Sequence, residues 1–127
     1  MGVNMRAILA LGALLVSSIY VGAAEKPIES YYARLSAEDH FNSAGERLTT
    51  AAAIIRQDRA NFHVYGKRDR EDDSDYTFSD KANRARLERM IANGHYLGRA
   101  ESAVLNGTPL IYVEIYEDYV TVSVRDD

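Results

Sequence analysis

The chain has 127 residues, carries a formal net charge of −4 and contains no cysteine. A chain of this length forms one domain with a modest core. The acidic balance argues against a nucleic-acid partner, because such partners are held by a surplus of basic side chains. Without cysteine there are no disulfides and no zinc–thiolate sites, so packing alone must hold the fold together.

The N-terminus has the order of an export signal. Arg6 supplies a positive charge, an apolar run follows over residues 7–16, and the small residues Ala23 and Ala24 precede Glu25. Signal peptides present basic, apolar and small residues in this order. We therefore predict cleavage near Ala23 or Ala24 and a periplasmic or secreted protein.

On this interpretation residues 1–24 are a signal peptide, and residues 25–127 form a single domain that meets a membrane only during export. Loss of Arg6 leaves 14 of the 15 basic residues against 19 acidic ones, a formal charge of −5. The alternative is an uncleaved anchor, because the apolar segment is close to the roughly 17–25 residues of a spanning helix. Met5 is a second candidate for the start of translation.

The remaining residues predict a strand and three helices before a C-terminal hairpin. A first strand is predicted over residues 31–35, because two adjacent tyrosines favour a strand and the side chains can alternate between its two faces. A helix is predicted over 48–63, where apolar residues recur at helical spacing and threonines can cap the first turn. Ser79 is expected to cap a second helix over 80–92, and a short third helix is expected over 97–105.

The segment between the first two helices is acidic. Residues 67–75 are almost all charged and have no apolar anchor, which predicts an exposed, solvated loop. Counted from Asp69, oxygen-bearing side chains fall at most ligand positions of a calcium-binding loop. However, Ser74 stands where such a loop needs glycine, and Asp80 stands where a bidentate glutamate is usual. We therefore predict no metal site.

The C-terminal residues alternate between apolar and polar. Strands over 110–116 and 119–124 flank Glu117-Asp118, which would form the turn of a hairpin. The turn would create three apolar cross-strand pairs on one face, namely Ile115 with Val120, Val113 with Val122, and Ile111 with Val124. A slip of one residue would place polar side chains opposite these positions, so the pattern selects this register.

The order β-α-α-α-β-β predicts an α+β domain. It would have a three-stranded, mostly antiparallel sheet that includes the C-terminal hairpin, with two to three helices packed on one face. The opposite face carries Tyr112, Tyr116 and Tyr119. An exposed row of tyrosines is typical of a protein-binding face. The alternative is that these rings only cover the sheet.

An unusual mixture of polar residues lies before and within the first long helix. They predict a site for a small polar or anionic ligand, and the candidate residues are Asp39, His40, Asn42, Arg56, Asp58, Arg59 and His63. A purely structural network, in which Asp58 and arginines tie the loop after the first strand to the helix, accounts for the same residues. A third interpretation is an acid–base cluster of His40, Asp58 and His63. Catalysis would also need a nucleophile within reach of a base, and Ser36 and Ser43 are candidates by proximity in sequence only, so we assign no catalytic residue.

Two segments resemble a family of small exported proteobacterial proteins. The first is RLSAEDHFNSAGERLTTAAAIIRQDRANFH, within residues 32–63, and the second is NGTPLIYVEIY, residues 106–116. The resemblance covers most of the mature chain. Because the family has no assigned activity, the resemblance implies export and a single domain but no mechanism.

Together these features predict a small, non-enzymatic binding or interaction module outside the cytoplasm, without a cofactor. Its partner would be another envelope protein or a small polar or anionic ligand. One alternative is a small periplasmic hydrolase that uses His40, Asp58 and His63. Another is an envelope-structural or stress-protective protein.

Overall fold

The computed structural model describes residues 25–125, together with Gly2 and residues 12 and 13. Apart from those three positions, the predicted signal peptide lies outside the described residues, as do Asp126 and Asp127. Within residues 25–125 the chain is an α+β domain in which three α-helices accompany one four-stranded sheet.

The order of elements differs from the prediction by one short strand between the second and third helices. The strands are β1 (Glu29–Arg34), β2 (His95–Tyr96), β3 (Leu110–Ile115) and β4 (Val120–Arg125), and the helices are α1 (Ala51–His63), α2 (Lys81–Asn93) and α3 (Ala100–Asn106). Short 3-10 helices at Ala37–His40 and Thr77–Ser79 precede α1 and α2. The sheet order is β1-β3-β4-β2, with β2 parallel to β4 and the other pairs antiparallel.

The C-terminal hairpin has the predicted register. The cross-strand partners are Ile115 with Val120, Val113 with Val122, and Ile111 with Val124. The backbone N–H of Tyr116 donates to the carbonyl oxygen of Tyr119 at 2.8 Å, which closes the turn at Glu117-Asp118. The alternation of β-branched residues is therefore sufficient to predict this part of the sheet.

The prediction of a three-stranded sheet was wrong by one strand. His95–Tyr96 pairs with β4 as a parallel fourth strand, between α2 and α3. Gly94 makes this approach possible, because a side chain there would overlap the backbone carbonyl of Val120. A strand of two residues has no alternation to detect, so the hydrophobic pattern gives no sign of it.

All three helix starts differ from the prediction. The first helix begins at Ala51 rather than residue 48, and Thr50 is its N-cap. Asp80, not Ser79, caps α2 by accepting a hydrogen bond of 3.0 Å from a backbone N–H of the first turn. Ser79 instead ends the preceding 3-10 helix. The third helix begins at Ala100, later than predicted.

One apolar core lies between the helices and the inner face of the sheet. The strands contribute fully buried side chains, and the helices contribute Ile54, Ile55, Leu87, Ile91 and Val104. Phe78, which precedes α2, packs edge-on against Tyr31 with ring centroids 6.2 Å apart. The core therefore joins both ends of the chain to the helices between them.

The acidic loop over residues 67–75 is mostly exposed, as predicted, but it also covers the edge of β1 and contains the buried Asp75. Asp73 exchanges hydrogen bonds with Tyr32, since its carboxylate accepts from the Tyr32 N–H at 3.0 Å and its own N–H donates to the Tyr32 carbonyl at 2.8 Å. The carboxylate of Asp72 accepts from the Arg34 N–H at 2.8 Å. These carboxylates satisfy the N–H groups that an edge strand would otherwise expose.

Candidate functional site

Arg59 lies at the centre of a buried ionic cluster. Its side chain is 0 % exposed, and Nε donates to Oδ2 of Asp58 at 2.8 Å. Nη1 donates to Oδ1 of Asp75 at 2.9 Å. The guanidinium carbon lies 4.2 Å from the ring centroid of Tyr31 and 4.6 Å from that of Phe62. Two carboxylates and two aromatic faces thus compensate for the removal of this cation from water.

Asp75 connects the cluster to the start of the second helical region. Its Oδ1 also lies 2.7 Å from Nε2 of His63, and its Oδ2 accepts from the backbone N–H of Phe78. The Asp75 side chain is 0 % exposed, and that of His63 is 9 % exposed. A single carboxylate therefore holds α1 to the segment that leads into α2.

Asp39 and Asn61 form a second buried polar pair beside the cluster. The side-chain amide of Asn61 donates to Oδ1 of Asp39 at 2.8 Å, and Gln57 donates to Oδ1 of Asn61 at 3.0 Å. The other oxygen of Asp39 accepts from the backbone N–H of Ser36 at 2.9 Å. This chain of hydrogen bonds ties the 3-10 helix after β1 to α1.

His40 is held by two backbone carbonyl groups. Its Nδ1 lies 2.8 Å from the Ser36 oxygen, and its Nε2 lies 2.8 Å from the Val104 oxygen. Both ring nitrogens thus face backbone carbonyl oxygens, which only accept hydrogen bonds. In this arrangement His40 joins the 3-10 helix at Ala37–His40 to α3, and its buried ring presents neither nitrogen to a substrate.

Burial dominates the electrostatics of the cluster. Burial raises the pKa of Asp58 well above its ordinary value, and the neighbouring Arg59 guanidinium offsets part of that shift. Burial likewise raises the pKa of Tyr31. Within residues 25–125, the Tyr31 hydroxyl and Nη2 of Arg59 are buried without a hydrogen-bond partner. Because these groups are buried, their pKa values are set by the protein interior and not by contact with solvent.

The structure divides the seven predicted ligand-binding residues into two sets. Five are buried or nearly so and hold the fold together, namely Asp39, His40, Asp58, Arg59 and His63. The other two are more accessible: Arg56 lies 3.8 Å from Glu88, and the side chain of Asn42 accepts from two backbone N–H groups of the following turn. These contacts favour the structural-network interpretation for most of the set.

The structure does not support an acid–base cluster of His40, Asp58 and His63. His40 is 3 % exposed and Asp58 is 2 % exposed, whereas an acid–base site must meet its substrate in an open cleft. His63 pairs with Asp75 instead of Asp58. The three side chains therefore do not converge on an accessible site.

The acidic residues within the range 25–125 form no cation site. Among the described residues, no group of three or more histidine, aspartate and glutamate side chains is placed to hold a metal ion. Asp72 and Asp73 are engaged by the N–H groups of β1, and Asp75 by Arg59 and His63.

The three tyrosines of the predicted protein-binding face lie on or beside the outer side of the hairpin. Tyr116 and Tyr119 stack on each other with centroids 4.4 Å apart and planes inclined by 8°. Tyr112 packs against Tyr32, with centroids 4.8 Å apart. All three are half-buried, so each ring is partly covered by its neighbours.

A cleft lies at the end of the sheet, beside α3. It measures about 440 Å³ and is called the arginine cleft below; its lining residues are Arg34, Arg99, Ser102, Ala103, Asn106, Gly107, Thr108, Pro109, Leu110, Val124 and Arg125. Arg34 and Arg125 are both cross-strand partners of Leu110, so the two arginines flank this residue on neighbouring strands. Arg99, the N-cap of α3, supplies a third guanidinium group.

The arginine cleft is not predictable from the sequence pattern alone. Arg34 and Arg125 are far apart in the chain and become neighbours only because both pair with β3. The predicted hairpin register, extended by one residue, places Arg125 opposite Leu110. The sequence does not predict which residues of β1 lie opposite β3. A predicted β1–β3 register would have placed Arg34 opposite Leu110 as well, and so would have brought the two arginines together.

No protein family, curated protein or solved structure matches this chain. Among the described residues, no helix is long and apolar enough to cross a membrane. The resemblance to exported proteobacterial proteins and the signal peptide therefore stay predictions.

Proposed function

We propose that the protein is an exported, non-enzymatic binding module, and that its ligand is a small anion held in the arginine cleft. The observation that carries this proposal is the presence of three arginines in the lining of one cleft, namely Arg34 at the end of β1, Arg99 at the N-cap of α3 and Arg125 at the end of β4. The buried cluster around Arg59 borders a cleft of about 420 Å³ at His63 and Asp75, but that cleft has no arginine in its lining and includes the acidic Glu29 and Asp75.

The charge of the cleft contrasts with that of the domain. The predicted mature chain carries a formal charge of −5, yet the lining residues of the cleft include three arginines and no acidic residue. Clustered cations in a concave surface concentrate positive potential and attract anions. An acidic domain with a local basic cleft would therefore select anions at that one place.

The side chains of the cleft are partly oriented in advance. Arg34 contacts the Glu71 carboxylate at 3.3 Å and the Thr108 carbonyl at 3.2 Å. The guanidinium of Arg125 lies 4.8 Å above the ring of Tyr112. Guanidinium groups that are already positioned lose less conformational entropy when they bind a ligand.

The chemistry of the cleft favours a carboxylate or phosphate attached to a small apolar body. A guanidinium group can donate two parallel hydrogen bonds to either anion. Leu110, Pro109 and Val124 supply an apolar floor, and Ser102 and Thr108 add hydroxyl groups. A ligand with two or three anionic groups would engage more than one arginine at once.

Titration of the exported form with citrate and, separately, with inorganic phosphate tests this proposal. We expect saturable shifts of backbone amide NMR signals around the arginine cleft, and the stronger of the two probes identifies the preferred anionic group. Chloride at equal ionic strength is the control for screening. Shifts that do not saturate, or that spread evenly over the domain, would contradict a specific anion site.

Export is tested by the mass of the protein recovered from the cell envelope or medium. A chain that begins at Ala24 or Glu25 is expected, because either follows from cleavage near the small residues. A full-length mass in the membrane fraction would instead indicate an uncleaved anchor.

A further inference from the structure

A second cleft lies between the 3-10 helix at Ala37–His40 and the end of α1. It measures about 420 Å³ and is called the aromatic cleft below; its lining residues are Glu38, Phe41, Asn42, Ser43, Gln57, Asn61, Tyr65 and Lys67. It shares no lining residue with the arginine cleft. It also includes Asn42, an accessible member of the predicted ligand site.

Two aromatic rings are exposed at this cleft. Phe41 is 42 % exposed and Tyr65 is 56 % exposed, although side chains of this kind are usually buried. The guanidinium carbon of Arg47 lies 5.7 Å from the centroid of the Phe41 ring, so part of that ring is supported by a neighbouring side chain. The accessible ring surface offers a flat apolar platform to a ligand.

The polar side chains between the rings are fixed by hydrogen bonds. Asn61 is 4 % exposed and is held by the Asp39 carboxylate at 2.8 Å. Gln57 donates to Asn61 at 3.0 Å, and within residues 25–125 its carbonyl oxygen has no hydrogen-bond partner. The amide of Gln57 is thus oriented while its acceptor remains open to a ligand.

The two loops that carry the rings are also fixed. A β-bridge joins Phe41 to Arg47, and Oδ1 of Asn42 accepts from the N–H groups of Ala44 and Glu46 at 3.0 and 2.9 Å. On the other side, the backbone N–H of Lys67 donates to the Asn61 carbonyl at 2.9 Å. Because the cleft is preformed, little ordering is needed on binding.

We propose that the aromatic cleft binds a sugar ring of a neutral oligosaccharide. A pyranose ring presents C–H groups on its face, which pack against aromatic rings, and hydroxyl groups at its edge, which bond to amides and carboxylates. Phe41 and Tyr65 would contact the face, and Asn42 and Gln57 the edge. The single Glu38 and single Lys67 leave the lining formally neutral, so a charged ligand has no advantage here.

The probes are three neutral tetrasaccharides: cellotetraose, maltotetraose and the tetramer of N-acetylglucosamine. We expect one of them to produce saturable amide shifts around the aromatic cleft. The Phe41→Ala and Tyr65→Ala variants should each bind that tetrasaccharide about tenfold more weakly or worse. Tyr65→Phe keeps the ring and removes only the hydroxyl, so it should retain most of the affinity. Tyr76→Ala is the matched control, because Tyr76 is 87 % exposed outside the cleft.

Binding of the tetrasaccharide to the aromatic cleft does not depend on anion binding in the arginine cleft. A variant with Arg99→Gln and Arg125→Gln should keep its affinity for the tetrasaccharide, whether or not the arginine cleft binds citrate. The proposal is overturned if none of the three probes binds at about 10 mM, a concentration that detects even weak sites. It is also overturned if the Phe41→Ala and Tyr65→Ala variants remain folded and bind as tightly as the Tyr76→Ala control.

Discussion

Arg59 occupies a position in the interior where a small domain ordinarily places an apolar side chain. Its guanidinium contacts Asp58, Asp75 and the rings of Tyr31 and Phe62. A buried ion pair adds little net stability compared with an apolar substitute, but removal of one partner strands the other in a medium of low polarity. We infer that this cluster specifies how β1, α1 and the acidic loop meet.

Asp75→Ala tests the dependence of the fold on this cluster. The substitution leaves Arg59, His63 and the Phe78 N–H without their shared acceptor, so we expect a loss of about 3–5 kcal/mol in the free energy of unfolding. Chemical denaturation measures this value. Asp118→Ala, at an exposed position in the hairpin turn, is the control and should change it by less than about 0.5 kcal/mol. Equal effects of the two substitutions would show that Asp75 is not a structural centre.

Asp58→Asn tests the protonation of the cluster. Because burial raises the pKa of Asp58, its contribution to stability is fully present below the ordinary value of about 4 and is lost as the pH rises through the raised value. The variant has a permanently neutral amide at this position, so its stability does not fall with pH for this reason. We therefore compare the melting temperatures of the original protein and the variant at each pH. The difference, original minus variant, should become smaller as the pH rises from about 4 to about 8. An increase would mean that Arg59 holds Asp58 in its charged form.

Only part of the cluster is predictable from sequence. The adjacent Asp58 and Arg59, with His63 one turn later, already indicate a polar network in α1. Asp75 is the missing partner, 16 positions beyond Arg59 in a loop whose composition predicts solvent exposure. Composition describes an average over the loop, whereas the burial of one carboxylate depends on which cation it meets.

At the scale of elements, the edge of β1 depends on side chains rather than on a neighbouring strand. The carboxylates of Asp72 and Asp73 accept the N–H groups of Arg34 and Tyr32. An uncovered edge strand is a template for pairing with another chain, and charged side chains are a common protection against it. The acidic loop therefore has a structural role that its charge alone does not reveal.

Replacement of Asp72 and Asp73 together by alanine tests this role. We expect faster hydrogen exchange at the Tyr32 and Arg34 amides, because both lose their acceptors, with little change at the amides of β4. Self-association at high concentration should increase as the edge is exposed, and analytical ultracentrifugation measures it. Protected amides and an unchanged sedimentation coefficient would show that the edge does not need these carboxylates.

The elements that the sequence predicts correctly are those with a repeated pattern. In the hairpin, three apolar pairs all require one register, so each pair supports the others. By contrast, β2 has two residues and is positioned by the close approach of Gly94 to β4. A contact between distant backbones leaves no periodic trace in the sequence.

At the scale of the whole molecule, two clefts of different chemistry lie on one small domain. The arginine cleft is basic and lies at the end of the sheet, whereas the aromatic cleft is formally neutral and lies beside the 3-10 helix. The sequence predicted a binding module and placed its site near α1. Most of that predicted site is interior structure, and the arginines of the other cleft come from three elements that only the fold brings together.

The most direct test of the account is a calorimetric titration of citrate into the protein with Arg99→Gln and Arg125→Gln. Arg86→Gln with Arg89→Gln is the matched control, since it removes the same charge from exposed positions of α2. We predict that the first variant loses affinity by about tenfold or more, because each arginine donates charge-assisted hydrogen bonds to the anion, while the control stays close to the original protein. Equal losses in both variants, or no loss in either, would contradict an anion site in the arginine cleft.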